Sequence, residues 1–523
     1  MLKLLSFLAF TGFVAGYAWY KLRKERLDSS DGFFLGGRSL TGIVIAGSML
    51  LTNISTEHLV GMNGSSYKNG FIIIAWEVTS ALALVVCAVY FVPRYLKMGL
   101  TTIPQYLEYR FDGMTRTLVA LFLIISFVVT LLPIVLFTGA INMESIFEIS
   151  AVMDISKGEG LWLTVVVIGI IGSIYAIFGG LKAVAYSDTI NGYGLLIGGL
   201  LVPAFALLDI GDNNMWKGLV KVYEHSPEKF SVIGAPGSVL PFEVLFTGLI
   251  INQLYFWCMN QAIIQRALGA VNLKEAQKGL LLTGVFKILM PLIIILPGVI
   301  GFYYFQDTFY DSQDTVYPEL VKRVLPVGLI GFFAAVVMGA VLSTFNSVLN
   351  SAATLFSVGI YKRHINEKAS EKRLVTIGRL TSTILAVAAI LAAPMVASAP
   401  DGLYQLLQQL NGIFFIPIAS ILLAGFFLKN ISATGAKAAL FVGLAFYITV
   451  TFILQVDLHF VHVWGIEFLL NMVVMYVVSY FYPNKNFYQP VDAGEVELTP
   501  WRYTKPLALG LSIVTLLIYI LMS

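Results

Sequence analysis

Two short polar runs interrupt long apolar stretches of the sequence. The first is Thr52–His58, and the second, Asn252-Gln253 with Asn260-Gln261, follows about 200 residues later. In a bilayer an unsatisfied backbone amide costs several kcal/mol, so polar or unwound backbone persists only where it lines a cavity or binds something. Paired interrupted helices in corresponding halves are typical of the binding site of a secondary transporter. The pattern therefore predicts a binding site between two broken helices.

A polar stripe follows one face of the apolar stretch 325–361. Ser343, Ser347 and Asn350 recur at intervals of four and three residues, which places them on one side of a helix. Interhelical packing is one interpretation, because small and hydroxylic residues are common between membrane helices. A cation site is the other, because a hard cation such as sodium prefers oxygen ligands. Its remaining ligands would be carbonyl groups freed where the first polar run unwinds.

Two opposite charges, Glu77 and Lys287, lie in apolar surroundings. An uncompensated charge inside the membrane is costly, so each must face the protein interior and find a partner. They either form a mutual ion pair or hydrogen-bond a polar solute in a central cavity. Gln408 and Asn411 offer amide donors and acceptors of the kind that hydroxyl-rich ligands need.

Four further side chains each have a structural and a functional interpretation. His58 either joins the solute site or is a packing residue. Phe256 and Trp257 either present a flat surface to a solute or serve as core and interface anchors, as aromatic residues in membrane helices usually do. Asp188, at the predicted start of a helix, is either an N-cap or a carboxylate on the exit route of the cation.

The composition indicates an integral membrane protein. Hydrophobic residues make up 58% of the chain, charged residues 12%, and the mean hydropathy is +0.83, so there are too few charges to cover a soluble globule. Both cysteines lie in apolar runs, which argues against a disulfide scaffold or zinc cluster. A transmembrane helix needs about 20 mostly apolar residues. We predict about fourteen spans, at 2–20, 38–60, 71–97, 114–145, 161–178, 186–208, 242–268, 276–304, 325–361, 374–398, 402–428, 436–454, 459–482 and 504–522.

Basic residues concentrate in alternate predicted loops. They cluster after span 1, between spans 3 and 4, between spans 7 and 8 and, most densely, between spans 9 and 10. The positive-inside rule makes this side cytoplasmic and predicts both termini outside. The first apolar run is expected to be a retained helix, because its charges follow it. These charges are Lys21, Arg23, Lys24 and Arg26.

We expect one membrane domain over residues 1–523. Spans 2–6 (38–208) and 7–11 (242–428) form two units of five helices, and each begins with an interrupted helix. Since each unit has an odd number of helices, the second must be inverted relative to the first. The first helix (1–30) and the last three (436–522) would be peripheral. The predicted fold is an all-α polytopic membrane protein with a five-plus-five inverted-repeat core.

Separated motifs follow one another along the chain in a specific order. They are Asn53–Met62, Trp76–Ser80, Phe178–Asp188, Tyr255–Cys258, Asn260-Gln261, Gln265-Arg266, Phe286-Lys287, Ser343–Ser351 and Tyr404–Gln408. Through them nearly the whole chain resembles the sodium/solute symporter family, particularly bacterial-type members of its sodium–sugar (sodium–glucose) branch. The resemblance implies a LeuT-like inverted-repeat fold and alternating access.

The resemblance also implies roles for individual residues. Five positions match residues that contact or line the sugar pocket of the family's sugar carriers: Asn53, Glu77, Ser80, Lys287 and Gln408. Five more complete the candidate substrate site: His58, Gln253, Phe256, Trp257 and Asn260. The sodium site would use carbonyl groups of Leu51, Ile54 and Ala340 with the hydroxyls of Ser343 and Thr344. Asp188 matches an acidic residue implicated in sodium release.

Some positions depart from the family pattern. Phe256 stands where the inner gate is usually Tyr, and Gln253 where a bacterial relative has Asn. Leu131 and Asn191 also replace polar residues of the pattern, Asn and Gln respectively. These differences leave the sodium ligands intact and bear on the identity of the solute.

We therefore expect sodium-coupled symport of a small hydroxylated solute, such as the monosaccharides glucose or galactose, across a bacterial inner membrane. Na+ would be the coupling ion, with no organic cofactor, and a monomer would suffice although an oligomer is compatible. Two alternatives stay open: a sodium symporter for a polyol, sialic acid or carboxylate, and a sodium-gated sensor or channel. An enzyme or a nucleic-acid-binding protein is not expected, because the sequence has no nucleophile–base pair, metal motif or basic patch.

Overall fold

The computed structural model describes residues 1–22, 29–398, 402–484 and 492–523. Of the basic cluster after the first span, Arg23, Lys24 and Arg26 lie outside these ranges. The helices of the first half are α1 (Leu2–Leu22), α2 (Gly42–Asn53), α3 (57–69), α4 (70–97), α5 (Ile103–Arg110), α6 (Gly113–Phe147), α7 (157–179), α8 (Gly180–Ile210) and α9 (Met215–His225).

The second half continues in the same all-helical way. Its helices are α10 (Gly248–Cys258), α11 (Gln261–Leu268), α12 (Leu273–Leu289), α13 (Pro291–Phe305), α14 (Val316–Val324), α15 (Val327–Ile365), α16 (Glu371–Val396), α17 (Leu403–Phe427), α18 (Ala433–Ile453), α19 (Phe460–Phe481) and α20 (Thr504–Leu521). Short helical turns lie at Ser30–Phe34, Gly36–Arg38, Ile149–Met153, Pro227–Phe230, Phe242–Phe246 and Tyr310–Thr315.

Eleven helical stretches of the described residues are long and apolar enough to cross a membrane, and the bent pair α12 and α13 makes a twelfth. The predicted number of about fourteen is larger because it includes two broken helices. α2 has 12 residues and α10 has 11, and neither alone reaches across a bilayer. Each is followed after a short break by a second helix, α3 or α11. The chain is therefore a multi-pass membrane protein with two interrupted segments.

Both breaks expose backbone groups inside the molecule. α2 ends at Asn53, and Ile54 is extended (φ −89°, ψ 98°) before the chain turns back into helix. α10 ends at Cys258, and Asn260 is extended (φ −69°, ψ 120°) with its side chain accepting a hydrogen bond from the amide of Ala262. The second predicted interruption is therefore narrower than expected, because Asn252-Gln253 lie within α10.

The loop predicted between spans 161–178 and 186–208 is nearly absent. α7 passes into α8 with a single non-helical residue, Gly180 (φ 59°, ψ −172°). A left-handed φ suits glycine, and a Cβ there would lie 2.7 Å from the carbonyl oxygen of Phe33. A single glycine thus makes the turn where the sequence predicts a loop of several residues.

The connections between helices gather at two ends of the molecule. At the first, the basic end, Arg38 donates hydrogen bonds to the carbonyls of Gly99 and Leu268 and pairs with Glu495 at 3.0 Å. The C-terminal connector 492–503 crosses this end, where the amide of Ala493 bonds Lys97 O at 2.9 Å. Loops that are odd-numbered along the chain therefore meet here.

The opposite end collects the intervening loops. Lys229 donates to the carbonyls of Tyr67 and Lys68, and Asp314 accepts from the amides of Gly402 and Leu403. His459 contacts the carbonyl of Val239 at 3.0 Å. Alternation of the loops between two ends is what successive membrane crossings require.

α2 is the central helix of this arrangement. Eleven of its twelve residues are buried, and it packs against α8, α12 and α15. A helix that is apolar all round belongs in a core. A Cβ added at Gly47 would lie 3.0 Å from Thr189 Cα, so α2 and α8 approach closely. The broken end of α2 is thereby held rigidly in the middle of the protein.

Candidate functional site

A cavity lies between the two broken helices. Its walls come from the α2–α3 break, α4, α6, α10, α11, α12, α15 and α17, and its volume is about 60 Å³. All ten residues predicted for the substrate site line it: Asn53, His58, Glu77, Ser80, Gln253, Phe256, Trp257, Asn260, Lys287 and Gln408. The fold thus brings together residues that are up to 355 positions apart in the sequence.

Glu77 and Lys287 form a direct ion pair on the cavity wall. Lys287 Nζ lies 2.6 Å from Glu77 Oε2 and also donates to Asn53 Oδ1. Each of the three side chains is at most 6% exposed. The structure therefore contains the ion pair that was one of the two interpretations. The pair is compatible with solute contact, because all three residues border the cavity.

A second network fixes the wall formed by α4 and α10. Gln253 Nε2 donates to the carbonyl of Trp76 at 2.8 Å, and Ser80 Oγ donates to Gln253 Oε1 at 3.0 Å. Trp257 Nε1 donates to the same oxygen at 3.2 Å. Gln253 therefore orients the indole of Trp257 as well as the hydroxyl of Ser80.

The cavity also has polar residues outside the ten predicted for the substrate site, although Asn411 was expected to offer an amide to a hydroxyl-rich ligand. Glu57 pairs with His58 at 3.4 Å, and Tyr404 stacks edge-on against His58 with ring centroids 5.3 Å apart. Glu57 Oε2, Asn252 Oδ1 and Asn411 Oδ1 are buried acceptor atoms without a hydrogen-bond partner among the described residues. All of these residues line the cavity. Glu57 lay in the first polar run, and that position was the available signal.

Asn260 has a structural task beside its place on the wall. Its side chain caps α11 by accepting from the amide of Ala262 at 2.9 Å, as asparagine often does at the first position of a helix. Phe256 is only partly buried and lies edge-on to Trp257 with ring centroids 5.2 Å apart. It is the flat residue at the position of the expected inner gate.

The predicted sodium ligands lie where α2 ends against α15. Thr344 Oγ1 is 3.5 Å from the carbonyl oxygen of Leu51 and donates to Thr52 O at 3.0 Å. Ser343 Oγ is buried and makes no hydrogen bond of ordinary geometry, although it faces the carboxylate of Asp188. Ile54 and Ala340 are fully buried. An unpartnered hydroxyl beside helix-end carbonyls is an all-oxygen donor set, which fits a hard cation.

The residues of the polar stripe on α15 differ in their surroundings: one packs between helices, and the others lack ordinary hydrogen-bond partners among the described residues. Ser347 packs between helices, since its hydroxyl bonds Thr52 Oγ1 at 3.1 Å and accepts from Arg266. Neither polar atom of the Asn350 amide has a partner among the described residues. Ser343 and Asn350 are thus the stripe residues whose side chains have no ordinary hydrogen-bond partner among the described residues, and of these two the predicted sodium ligand is Ser343.

Asp188 lies inside α8 and not at a helix start, so the N-cap interpretation is wrong. It accepts a hydrogen bond from Ser48 Oγ at 2.8 Å and lies 3.9 Å from Arg266 Nη2. Both members of this pair are at most 1% exposed. The helix starts eight residues earlier because Gly180 makes the turn in a single residue. Asp188 thereby sits between the predicted sodium ligand Ser343 and the buried guanidinium of Arg266.

Solved structures with this fold are transporters. The substrate-bound outward-open state of a Na+-coupled sialic acid symporter superposes with a TM-score of 0.77 over 93% of this chain and 99% of that one, at 19% identity. Mhp1, a nucleobase-cation-symport-1 family transporter, gives a TM-score of 0.53 over 85% of this chain and 94% of that one, at 15% identity. The broken helices and their shared cavity are those of the LeuT-like fold of membrane proteins.

Sequence comparison narrows this class to one family. The model of the Sodium:solute symporter family matches residues 33–443, and the chain belongs to that family. It is 45% identical to the "Uncharacterized symporter YidK" of Escherichia coli (strain K12), over 98% of this chain and 89% of that protein. It is 31% identical to the "Sodium/glucose cotransporter" of Vibrio parahaemolyticus, over 79% of this chain and 78% of that protein.

Proposed function

We propose that this protein carries a small, uncharged, hydroxylated solute, most simply a monosaccharide, into the cell together with sodium. The observation that carries the proposal is the cavity wall, where three buried acceptor oxygens have no hydrogen-bond partner in the part of the chain that the structure describes. Unpaired buried acceptors are costly, so the site favours a ligand with several hydroxyl donors. The similarity to a bacterial sodium/glucose cotransporter supports the same solute class.

The charges of the cavity argue against an anionic solute. Lys287 is neutralised by Glu77, and Glu57 adds an acidic group next to His58. A carboxylate ligand would meet a lysine that is already neutralised and a second acidic side chain. Like-charge repulsion therefore disfavours the binding of an anionic solute. A neutral polyol is the strongest second candidate, because the chain is also 28% identical to the human sodium/myo-inositol cotransporter over 80% of this chain and 62% of that protein.

Sodium in the α2–α15 site would couple to the solute through the broken helix. The ion would tie the carbonyl end of α2 to Ser343 and Thr344. Three of the residues that follow, Asn53, Glu57 and His58, border the cavity. Because linkage is reciprocal, a bound solute must strengthen sodium binding by the same factor. A potential of about 100 mV contributes about 2.3 kcal/mol per charge, and a tenfold sodium gradient about 1.4 kcal/mol more. One sodium ion thus sustains accumulation of roughly a few hundredfold.

Alternating access would then release both ligands. In the proposed cycle, Phe256 is the inner barrier of the cavity and Asp188 receives the ion on its way out. The basic end faces the cytoplasm of a bacterial inner membrane, and both termini lie outside, as the positive-inside rule requires.

Uptake by proteoliposomes tests the proposal. The purified protein is reconstituted, and labelled monosaccharides, polyols and carboxylates are supplied with an inward sodium gradient or with potassium in its place. We expect one monosaccharide to accumulate above its outside concentration only with sodium. Counterflow of labelled against unlabelled solute excludes a channel or sensor, since neither would show an exchange-driven overshoot. Sodium-driven uptake of a polyol or carboxylate alone would overturn the sugar assignment and keep symport.

A further inference from the structure

A carboxyl group outside the solute and sodium sites is buried without a partner. Glu467 lies in the middle of α19 and is 0% exposed. Neither of its carboxylate oxygens has a hydrogen-bond partner among the described residues. α19 belongs to the peripheral helices, so nothing in the proposed sodium and solute cycle uses this group. A buried ionisable residue in a membrane helix marks a functional site by default.

No cation on the neighbouring helices neutralises Glu467. α19 packs against α10, α17 and α18, and its Trp464 touches α4. The charged groups of these helices have other partners: Lys437 of α18 bonds Asp112 at the basic end, and on α4 Glu77 bonds Lys287, Lys97 pairs with Asp492 and Arg94 donates to the carbonyl of Tyr90. The other titratable side chains on these elements and on α19 itself are Cys87, Tyr90, Tyr95, Tyr255, Cys258, Tyr404, Tyr447, His462, Tyr476 and Tyr480.

The surroundings of Glu467 are polar but neutral. Trp464, Glu467 and Asn471 recur at three and four residues, which puts them on one face of α19. Asn471 Nδ2 donates to Ser420 Oγ of α17 at 3.2 Å, while Asn471 Oδ1 has no partner among the described residues. A Cβ on Gly443 of α18 would lie 2.5 Å from Asn471 Oδ1. The site is therefore tightly packed, with little space for a metal ion and its ligands.

Hydroxyl groups lie between this site and a large cavity. At the opposite end a cavity of about 920 Å³ is lined by Gln409, Thr451 and Val463, among others. Tyr447 Oη donates to the carbonyl of Gln409 at 2.9 Å, and Thr451 is one helical turn from Tyr447 on α18. Val463 is likewise one turn from Glu467. On α19 the carboxyl group is thus one turn from the lining of this cavity, and on α18 Tyr447, which lies near Glu467, is one turn from the lining residue Thr451.

We propose that Glu467 is a proton-binding site, loaded from the cavity at the opposite end through Thr451 and Tyr447. A lone carboxylate in the interior costs several kcal/mol, and one proton removes that cost without needing space. A hydronium ion in the cavity breaks one O–H bond and leaves a water molecule there, an O–H bond forms on the carboxylate, and the group becomes neutral. Sodium is disfavoured because the close contact at Gly443 leaves no room for a ligand shell.

The proton site touches the wall of the solute cavity. The ring of Trp464 lies 6.2 Å from that of Trp76, which lines the solute cavity. A Cβ on Gly412 would lie 2.1 Å from Trp464 Nε1. This indole therefore also packs closely against α17, at a position one helical turn from Gln408. Trp464, one turn from Glu467 on α19, therefore packs directly against the helix that carries Gln408 and Asn411.

Infrared spectroscopy of the whole protein in lipid tests the proposal without a solute. At neutral pH we expect the carbonyl band of a protonated carboxyl group, lost completely in Glu467→Gln and kept in the exposed control Glu224→Gln. In Tyr447→Phe, exchange of this proton for deuterium should slow at least several-fold. Glu467→Asp shifts the band and serves if the Gln variant does not fold.

Identical spectra of the wild type and Glu467→Gln would overturn the proposal. Disappearance of the band when sodium replaces a bulky organic cation would also overturn it, since the site would then take sodium. Neither outcome depends on which solute is carried, so failure here leaves the proposed transport function untouched.

Discussion

At the scale of single residues, the wall of the cavity contains a buried ion pair, and both of its side chains also border the space proposed for the solute. Lys287 contacts both Glu77 and Asn53, so its position is fixed from two helices at once. A buried ion pair is retained only when each charge is satisfied, and removing one partner leaves the other unpaired. The pair is thus both a structural unit and a wall of the site.

Changing Glu77 to Gln separates these two roles. The substitution leaves the Lys287 ammonium without its counter-charge, and we expect a loss of about 3–5 kcal/mol in stability. The double variant Glu77→Gln, Lys287→Gln should recover much of the melting temperature in detergent but not sodium-driven uptake. Recovery of both would show that the pair is structural only. Glu319→Gln, in the partly exposed Glu319–Lys322 pair, is the control and should change stability by about 0.5 kcal/mol or less.

Ser343 is the residue that tests the cation site. Its hydroxyl is buried and has no ordinary hydrogen-bond partner, so Ser343→Ala removes a ligand and little else. We expect the sodium concentration for half-maximal uptake to rise about tenfold, or about 1.4 kcal/mol, with residual transport at high sodium. Ser512→Ala removes a hydroxyl that bonds only its own helix in peripheral α20 and should leave the sodium dependence unchanged. An equal shift in both variants would contradict the assignment.

The sequence predicted the position of many single residues but not their partners. Polar residues in apolar runs must face a cavity or one another, and on that ground Glu77, Lys287 and Gln408 were expected in one place. Glu57 and Asn252 lie in the two polar runs, but within such a run nothing local distinguishes a polar residue on a cavity wall from one in a helix interface. The burial of Arg266 beside Asp188 depends on α2, α8 and α15 meeting, which no local pattern encodes.

At the scale of helices, close contacts hold the outer part of the first broken helix. Asn63 and Ser66 of α3 donate to the carbonyls of Ile294 and Ile295, where α13 is still irregular. Gly298 lies directly against them, and a Cβ there would be 1.9 Å from Ser66 Oγ and 2.3 Å from Asn63 O. α3 and α13 therefore move as one unit or not at all.

Gly298→Ala should force these two helices apart. Overpacking of this kind typically costs about 1–3 kcal/mol, and we expect a lower melting temperature together with slower uptake. Gly510→Ala is the matched control, because a Cβ there meets nothing within 4 Å in α20. An unchanged melting temperature in Gly298→Ala would show that α3 and α13 separate easily.

Helix positions followed well from the sequence, and helix breaks followed poorly. Apolar length alone gave α6 and α17 to within two residues of their observed ends, because a bilayer sets the length of a crossing helix. The turn at Gly180 was placed over too many residues, since one glycine at positive φ leaves no stretch of polar loop in the sequence. Asn252 and Gln253 stay helical because their side chains face the cavity and α10 keeps its backbone bonds.

At the scale of the whole molecule, the loops alternate between the two ends, and labelling in intact cells tests which end faces outward. Both native cysteines are buried, so an added cysteine is the one that reacts. With an impermeant maleimide we expect Ala235→Cys, exposed at the opposite end, to be labelled in whole cells. Glu367→Cys, exposed at the basic end, should react only after the membrane is opened. The reverse result would invert the topology while leaving the fold unchanged.

The connector 492–503 makes contacts that can form only late in translation. Arg38 is translated 457 residues before its partner Glu495, which at about 5–20 residues per second is a delay of roughly 20–90 s. During that interval the basic end has the carbonyls of Gly99 and Leu268 but not the chain that crosses them. The contacts of the connector with the basic end are therefore among the last to form during biosynthesis. A polypeptide stalled before residue 492 would enter the membrane without them.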